Sequence, residues 1–437
     1  MVRNVCIFSA SVLSGKSENF RFGGTRLWTR MLVESENSPL EAYYGLPVDV
    51  RFCTRCVISN QRPSSVVEFH NHPEERKPTI AFDGEGVCSA CRYAERKTRI
   101  DWPERETRLL DLCDRHRSRT GAYDCIVPGS GGKDSAFAAH VLKYKYGMNP
   151  LTVTWSPHVY TEVGWRNFQS WIGAGFDNIL VTPNGLVHRL LTRLAFLNLV
   201  HPFQPFIIGQ KLVAPRISVL YGIPLIFYGE NQAEYGNSVE DNDRPTMASA
   251  FYEDEPDPER IVVGGVPIPE LERDHDISLR DLNPYLPVDR DRLRAVGTEV
   301  HYLGYYLKWD PQECYYYAAE HTGFVPNDQR TEGSYSRYSS IDDRIDPLHY
   351  YTTLIKFGIG RATYDAAQEI RTGKIAREEG VALVRRYDTE FPARYFPEML
   401  AYMGISEATF WSVIDKARSP HLWKKENGEW MLRRQVE

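Results

Sequence analysis

An α/β fold is what this sequence predicts: a doubly wound parallel sheet, an N-terminal zinc-knuckle segment and a mainly helical C-terminal region. Three observations predict it. An apolar run at 123–127 leads through Pro128 and Gly129 into the loop Ser130-Gly131-Gly132-Lys133-Asp134-Ser135, and residues 136–146 then show helical apolar spacing. Short apolar runs at 151–155, 178–182 and 223–228 alternate with helix-like stretches, the pattern of right-handed βαβ units. Two CxxC pairs, Cys53/Cys56 and Cys88/Cys91, precede the first of these runs.

Taken in chain order, the 437 residues divide into an extension (1–48), a cysteine segment (49–100), the α/β region (101–250) and a C-terminal region (251–437). The extension opens with a short apolar run broken by Ser9 and Ser11 and lacks a small-residue cleavage site, so a signal peptide is not expected. Ser14-Gly15-Lys16-Ser17 imitates the end of a phosphate-binding Walker loop, but Ala10 stands where that motif needs glycine. No stretch approaches the roughly 18 apolar residues of a membrane helix. With 52 basic and 58 acidic residues, the net charge of −6 disfavours a generic nucleic-acid binder. The expectation is a cytoplasmic protein acting on a small molecule, away from the membrane.

In the cysteine segment, two tight thiol pairs approaching from two knuckles can close a tetrahedral sulfur site, which suits structural zinc. Two disulfides and an iron–sulfur cluster are the competing readings; the scattered Cys6, Cys113, Cys125 and Cys314 favour a reducing compartment and thus a metal. His70 and His72 lie between the pairs, although four thiols already complete a shell. A charged helix is expected over 102–119.

The loop at 130–135 carries the chemistry. A strand, a glycine turn and a helix start together form an anion site: the amides exposed at Gly131 and Gly132 point at phosphate oxygens, and the helix N-terminus favours negative charge. Lys133 adds a cation, Asp134 can hold Mg²⁺ against the phosphates, and Ser130 and Ser135 offer hydroxyls. The run at 223–228 ends in Gly229-Glu230-Asn231, and polar groups after a parallel strand face the ligand crevice, so Glu230 and Asn231 join the site.

Further along, an Asp- and Pro-rich stretch at 253–258 reads as a polar loop that covers the site, and 377–387 with 407–417 read as an amphipathic helix pair. Asp342, Asp343 and Asp346 sit close together and read as acids that bind metal or orient ammonia, Asp342 and Asp343 also as substrate contacts, beside the plain reading of solvated loop acids or helix N-caps. His349 has the reading of a general base beside that of a structural histidine. Lys356 and Arg361 flank Gly358 and Gly360 and read as pyrophosphate ligands, while Arg337 and Tyr338 are weaker substrate contacts.

The SGGKDS loop resembles that of the PP-loop ATP pyrophosphatases, which split ATP into AMP and pyrophosphate to adenylate an oxygen. Residues 51–424, roughly 85% of the chain, resemble more narrowly the N-acetyl sugar amidotransferases of bacterial surface-polysaccharide synthesis. The carriers are the CxxC pairs, the loop, Tyr228-Gly229-Glu230-Asn231 and a long downstream block. That block runs Gly333-Ser334-Tyr335-Ser336-Arg337-Tyr338-Ser339-Ser340-Ile341-Asp342-Asp343, then His349-Tyr350-Tyr351-Thr352-Thr353, then Ile355-Lys356-Phe357-Gly358-Ile359-Gly360-Arg361. The resemblance implies ATP- and Mg²⁺-dependent conversion of the acetamido group of a nucleotide-linked diacetamido sugar, or sugar acid, to an acetamidino group in O-antigen synthesis. No cysteine here has the setting of a glutaminase nucleophile. The resemblance implies ammonia from a separate glutaminase with a cyclase-like subunit, a pair similar to imidazole glycerol phosphate synthase. Two rival readings are a tRNA-modifying PP-loop enzyme of thiolase type, and a non-catalytic zinc-bearing scaffold of a polysaccharide-synthesis complex.

Overall fold

The computed structural model describes residues 40–72, 77–236, 244–254 and 257–437. Most of the extension read at 1–48, including Cys6 and the false Walker end, lies outside the described residues, as do Glu255 and Pro256 of the acidic loop.

The sheet forms where the sequence is most apolar and β-branched. Strands β1 (Cys125–Pro128), β2 (Pro150–Trp155), β3 (Asn178–Val181) and β4 (Leu225–Tyr228) match the four runs, and β5 (Glu299–Tyr302) joins them beyond residue 250. All pairs are parallel and the order is β3-β2-β1-β4-β5. β1 and β2 are buried along their whole length, as a sheet covered on both faces requires. The order reverses between β1 and β4, and the crevice outside their carboxyl ends is where such sheets hold ligands.

Local signals set the helices. Helix α1 spans Ser89–Lys97. α2 (Trp102–His116) opens on Asp101, whose carboxylate accepts from the Glu104 amide at 3.0 Å. α3 (Lys133–His140) starts directly behind the glycine loop and runs into a π turn at Val141–Lys145. Thr161 caps α4 (Glu162–Gly173) and Asn184 caps α5 (Gly185–Leu199) through hydrogen bonds to Gly164 and Leu186 amides. α6 (Gln204–Tyr221) crosses the sheet, its Gly209 so close to Trp155 that a Cβ would sit 2.2 Å from the indole. Among the described residues no helix is long and apolar enough to cross a membrane.

Between β4 and β5 come α7 (Ile268–His275) and α8 (Arg290–Val296), and after β5 the short α9 (Leu303–Tyr306) and α10 (Pro311–Thr322). The expected C-terminal helices follow as α11 (Asp346–Phe357), α12 (Arg361–Arg371), α13 (Arg377–Tyr387), α14 (Phe396–Met403) and α15 (Glu407–Ala417), closed by a hairpin of β6 (Trp423–Glu426) and β7 (Glu429–Leu432). Three apolar clusters result: one around the sheet, one joining α5, α11, α14 and α15 with residues 44–50, and one in which the cysteine segment packs on α12. The cysteine segment therefore shares its core with the C-terminal helices.

Candidate functional site

The four thiols converge. Cys53, Cys56, Cys88 and Cys91 are buried, their Sγ atoms all within 4.8 Å of one another. The Cys53–Cys91 and Cys56–Cys88 separations are 3.9 and 3.8 Å. A tetrahedron with Zn–S bonds of about 2.3 Å has edges of about 3.8 Å, so the donor set fits zinc. Disulfides need about 2.05 Å, and the cysteines are free. Amides of Arg55, Cys56 and Cys88 donate to Cys53 Sγ at 3.3–3.5 Å, support suited to a thiolate. A metal held by all four thiols would keep no open position, the arrangement of a structural site.

The second site lies at the switch point. Gly131 adopts φ 83°, and a Cβ on it would lie 2.9 Å from the Asn167 carbonyl oxygen and the Phe168 Cα of α4. Gly129 is tighter still, with its would-be Cβ 2.0 Å from that of Ser135. Gly132 is the residue before α3, so the free amides of the first turn open toward the crevice. Ser135 Oγ donates to the Gly132 carbonyl at 3.0 Å.

Three adjoining cavities meet here. One of about 430 Å³ is bounded by Ser130, Asp134, Ser135, Glu230 and Lys211, with Glu68 and Phe69 of the cysteine segment as its outer wall. A second, about 580 Å³, lies between Lys133, Asp134, Glu230 and the downstream residues Tyr338, Asp342, His349 and Arg361. The third, about 270 Å³, has aromatic walls from Trp155, Phe203 and Phe206, with Asp342, Asp346 and His349 at its polar end. Ser130, Ile207 and Gln210 line all three.

Charges are concentrated around the loop. Lys133 Nζ donates to Asp134 Oδ2 at 2.5 Å, and Trp309 Nε1 donates to Asp134 Oδ1 at 3.0 Å. Burial alone would lower the Lys133 ammonium, but the Asp134 and Glu230 carboxylates outweigh it and hold it above its ordinary value. Burial and the neighbouring Asp134 charge push the Glu230 carboxyl up to about 7, against Lys133 and a hydrogen bond donated by Tyr235 Oη. Burial lowers Lys211, opposed by Glu230. Asp346 is raised to about 7 by burial, against the pull of Arg361.

The structure gathers Ser130, Gly132, Lys133, Asp134, Ser135, Glu230, Tyr338, Asp342, His349 and Arg361 around the cavities. Arg361 is fixed there: its Nε donates to Asp365 at 3.2 Å, its Nη1 to Ser340 Oγ at 2.7 Å, and it lies 4.2 Å over the Tyr350 ring. Tyr338 stacks on Tyr315 with centroids 4.4 Å apart. Burial, with His201 nearby, holds the His349 imidazole well below its ordinary value, and its ring stacks on His201 and Phe203.

Other predicted residues are placed elsewhere. Asn231 is fully buried; its amide donates to Tyr93 Oη at 3.3 Å and accepts from the Ala233 amide at 3.1 Å. Lys356 is buried beneath α5, donates to the Leu199 carbonyl at 2.8 Å and lines none of the three cavities. Arg337 is exposed and donates to the Asn327 carbonyl. Asp343 borders the aromatic cavity, but its carboxylate is spent as an acceptor for the His158 amide and Nδ1, both at 2.7 Å, and the Ile345 amide at 2.9 Å. Among the described residues no acidic group joins it in a metal-binding cluster.

Sequence reasoning passed over Trp309, Tyr235, Lys211 and Gln210. A tryptophan three residues past the end of α9 carries no motif. Lys211 and Gln210 lie one turn apart from Ile207 on α6, a helical face that only the sheet order reveals as facing the crevice.

Comparison with known proteins adds two likenesses. Residues 332–437 match a family described as LPS biosynthesis protein WbpG-like, C-terminal domain. Separately, 82 residues, 19% of this chain, are 30% identical to the uncharacterized protein MJ1599 of Methanocaldococcus jannaschii, covering 29% of its length.

Proposed function

With the likeness of residues 332–437 to a lipopolysaccharide-biosynthesis protein as premise, we propose that this chain is an ATP-dependent amidotransferase of the PP-loop type. It acts on a nucleotide-linked diacetamido sugar or sugar acid. One observation carries the reading: the glycine loop at the switch point borders cavities whose far wall, Tyr338 to Gln368, belongs to the matched region.

The chemistry is balanced in two steps. The acetamido oxygen attacks the α-phosphorus of ATP and pyrophosphate leaves. Ammonia then attacks the imidate carbon, the C–O bond breaks, AMP departs with the oxygen, and a proton is lost. An amide oxygen leaves badly, whereas a phosphate ester leaves well, which is why the triphosphate is consumed. Loop amides, Lys133 and the start of α3 stabilise the pyrophosphate. Asp134 would hold Mg²⁺, which neutralises phosphate charge when bound. Glu230, with its carboxyl near 7, is placed to take the proton ammonia sheds. Arg361 and Tyr338 hold the acceptor in the largest cavity, and Asp342 and His349 close its end. Ammonia comes from a separate glutaminase paired with a cyclase-like subunit.

Mass spectrometry of UDP-diacetamido sugars incubated with protein, ATP, Mg²⁺ and ammonium tests this. The expected product is lighter by the difference between O and NH, with AMP and pyrophosphate formed in step. Formation of ADP, or unchanged sugar across the acceptor series, overturns it.

A further inference from the structure

We infer that Lys97 is a positioning residue that ties the four-cysteine knuckle to the Asp134 carboxylate of the glycine loop. Lys97 ends α1, the helix that also carries Cys91. Its ammonium is buried and donates to Glu234 Oε1 at 2.6 Å and to the Trp309 carbonyl at 2.8 Å. The Trp309 indole in turn donates to Asp134 Oδ1 at 3.0 Å. A path of two residues therefore runs from the end of α1 to the loop carboxylate.

The same helix grips the segment after β4 along its length. Ser89 Oγ donates to the Gly236 carbonyl at 2.9 Å, and Asn231 Nδ2 donates to Tyr93 Oη at 3.3 Å. Gly236 lies so close that a Cβ on it would sit 2.6 Å from Ile80 and 3.1 Å from Ala90 of the cysteine segment. From the other side, Arg371 donates to the Glu234 carbonyl at 3.0 Å. Glu230, directly before the first of these grips, and Tyr235, between two of them, face the cavities. A salt bridge with both side chains under one-tenth exposed resists rotation, because either partner alone would be a buried unpaired charge. The knuckle is thus the fixed end of a lever, and Lys97 its point of contact.

The test uses the full-length, zinc-loaded protein and Lys97→Met combined with Glu234→Gln, which removes both buried charges together. Hydrogen–deuterium exchange is expected to rise about tenfold at residues 229–236 and 307–311 only. Zinc content and exchange in β1 and β2 stay as in the parent. Unchanged exchange in those two segments overturns the inference; so does loss of zinc or a rise across the whole chain, either of which makes the pair a general stabiliser. A second arm rests on the proposed ATP chemistry: Mg²⁺-ATP, titrated calorimetrically, is expected to bind about tenfold more weakly to the variant and to Trp309→Phe, with no further loss on combining them. Additive losses overturn the shared path. A parent protein that fails to bind ATP would count against the proposed function, while the exchange result still decides the role of Lys97.

Discussion

Gly131 is held at φ 83° with α4 pressed against the space where a side chain would go. Gly131→Ala is expected to lower stability by about 2 kcal/mol through the left-handed backbone and the clash with Asn167, measured as a drop in the urea midpoint. Glu230 offers a pH signature. Its folded carboxyl is raised to about 7 from an ordinary 4.5, so the folded state holds the proton more tightly than the unfolded chain. Stability therefore falls as pH climbs between these values and levels off above them. Asp346, at about 7, and Asp388, at about 6, act in the same direction. Glu230→Gln should flatten the slope without abolishing it, in thermal melts from pH 4 to pH 8; an unchanged slope would count against a buried, protonated Glu230. At this scale the glycine loop was legible because its shape is set by its own glycines and by the strand and helix that adjoin it in the chain. Lys356 was not. Its spacing from Gly358 looks like an anion site, yet the flexible stem turns inward to satisfy the carbonyl end of α5.

At the scale of elements, the strap 158–161 lies antiparallel to 341–345, joined by the Thr161 amide to the Asp342 carbonyl, the Arg344 amide to the Val159 carbonyl, and the Asp343 carboxylate. Gly164 admits the 341–345 segment because a Cβ there would lie 2.4 Å from Asp342 Cα. Asp343→Ala leaves the buried amides of His158 and Ile345 unpaired and is expected to cost about 3 kcal/mol, read in denaturant melts. If the loss is below one-third of that, the clasp is not what holds Asp342 at the cavity. Strands β1, β2 and β4 were readable because buried parallel strands are continuous apolar runs, and β3, half-exposed at the sheet edge, because Ile179, Leu180 and Val181 still form one. β5 was not: Glu299, His301 and Tyr302 surround a single aliphatic residue, Val300, and only pairing with Leu225–Tyr228 makes it a strand.

For the whole molecule, the cysteine segment is no independent appendage. Its apolar side is shared with α12 and its Glu68 and Phe69 wall the cavity of about 430 Å³. Cys53→Ser should abolish zinc binding, one equivalent per chain by elemental analysis, and lower the calorimetric midpoint of the entire chain in one transition. A separate early transition that leaves the main one untouched would show an autonomous knuckle. The sequence could order the cysteine segment and the glycine loop along the chain but could not bring them to one cavity, since that proximity depends on α1 reaching the segment after β4. Ser130 borders all three cavities. Under the proposed reaction, the nucleotide and the acceptor would both lie beside this one side chain. On that reading, a single synthetic compound joining an adenylate to an amino sugar through a short inert bridge is expected to compete with both at once.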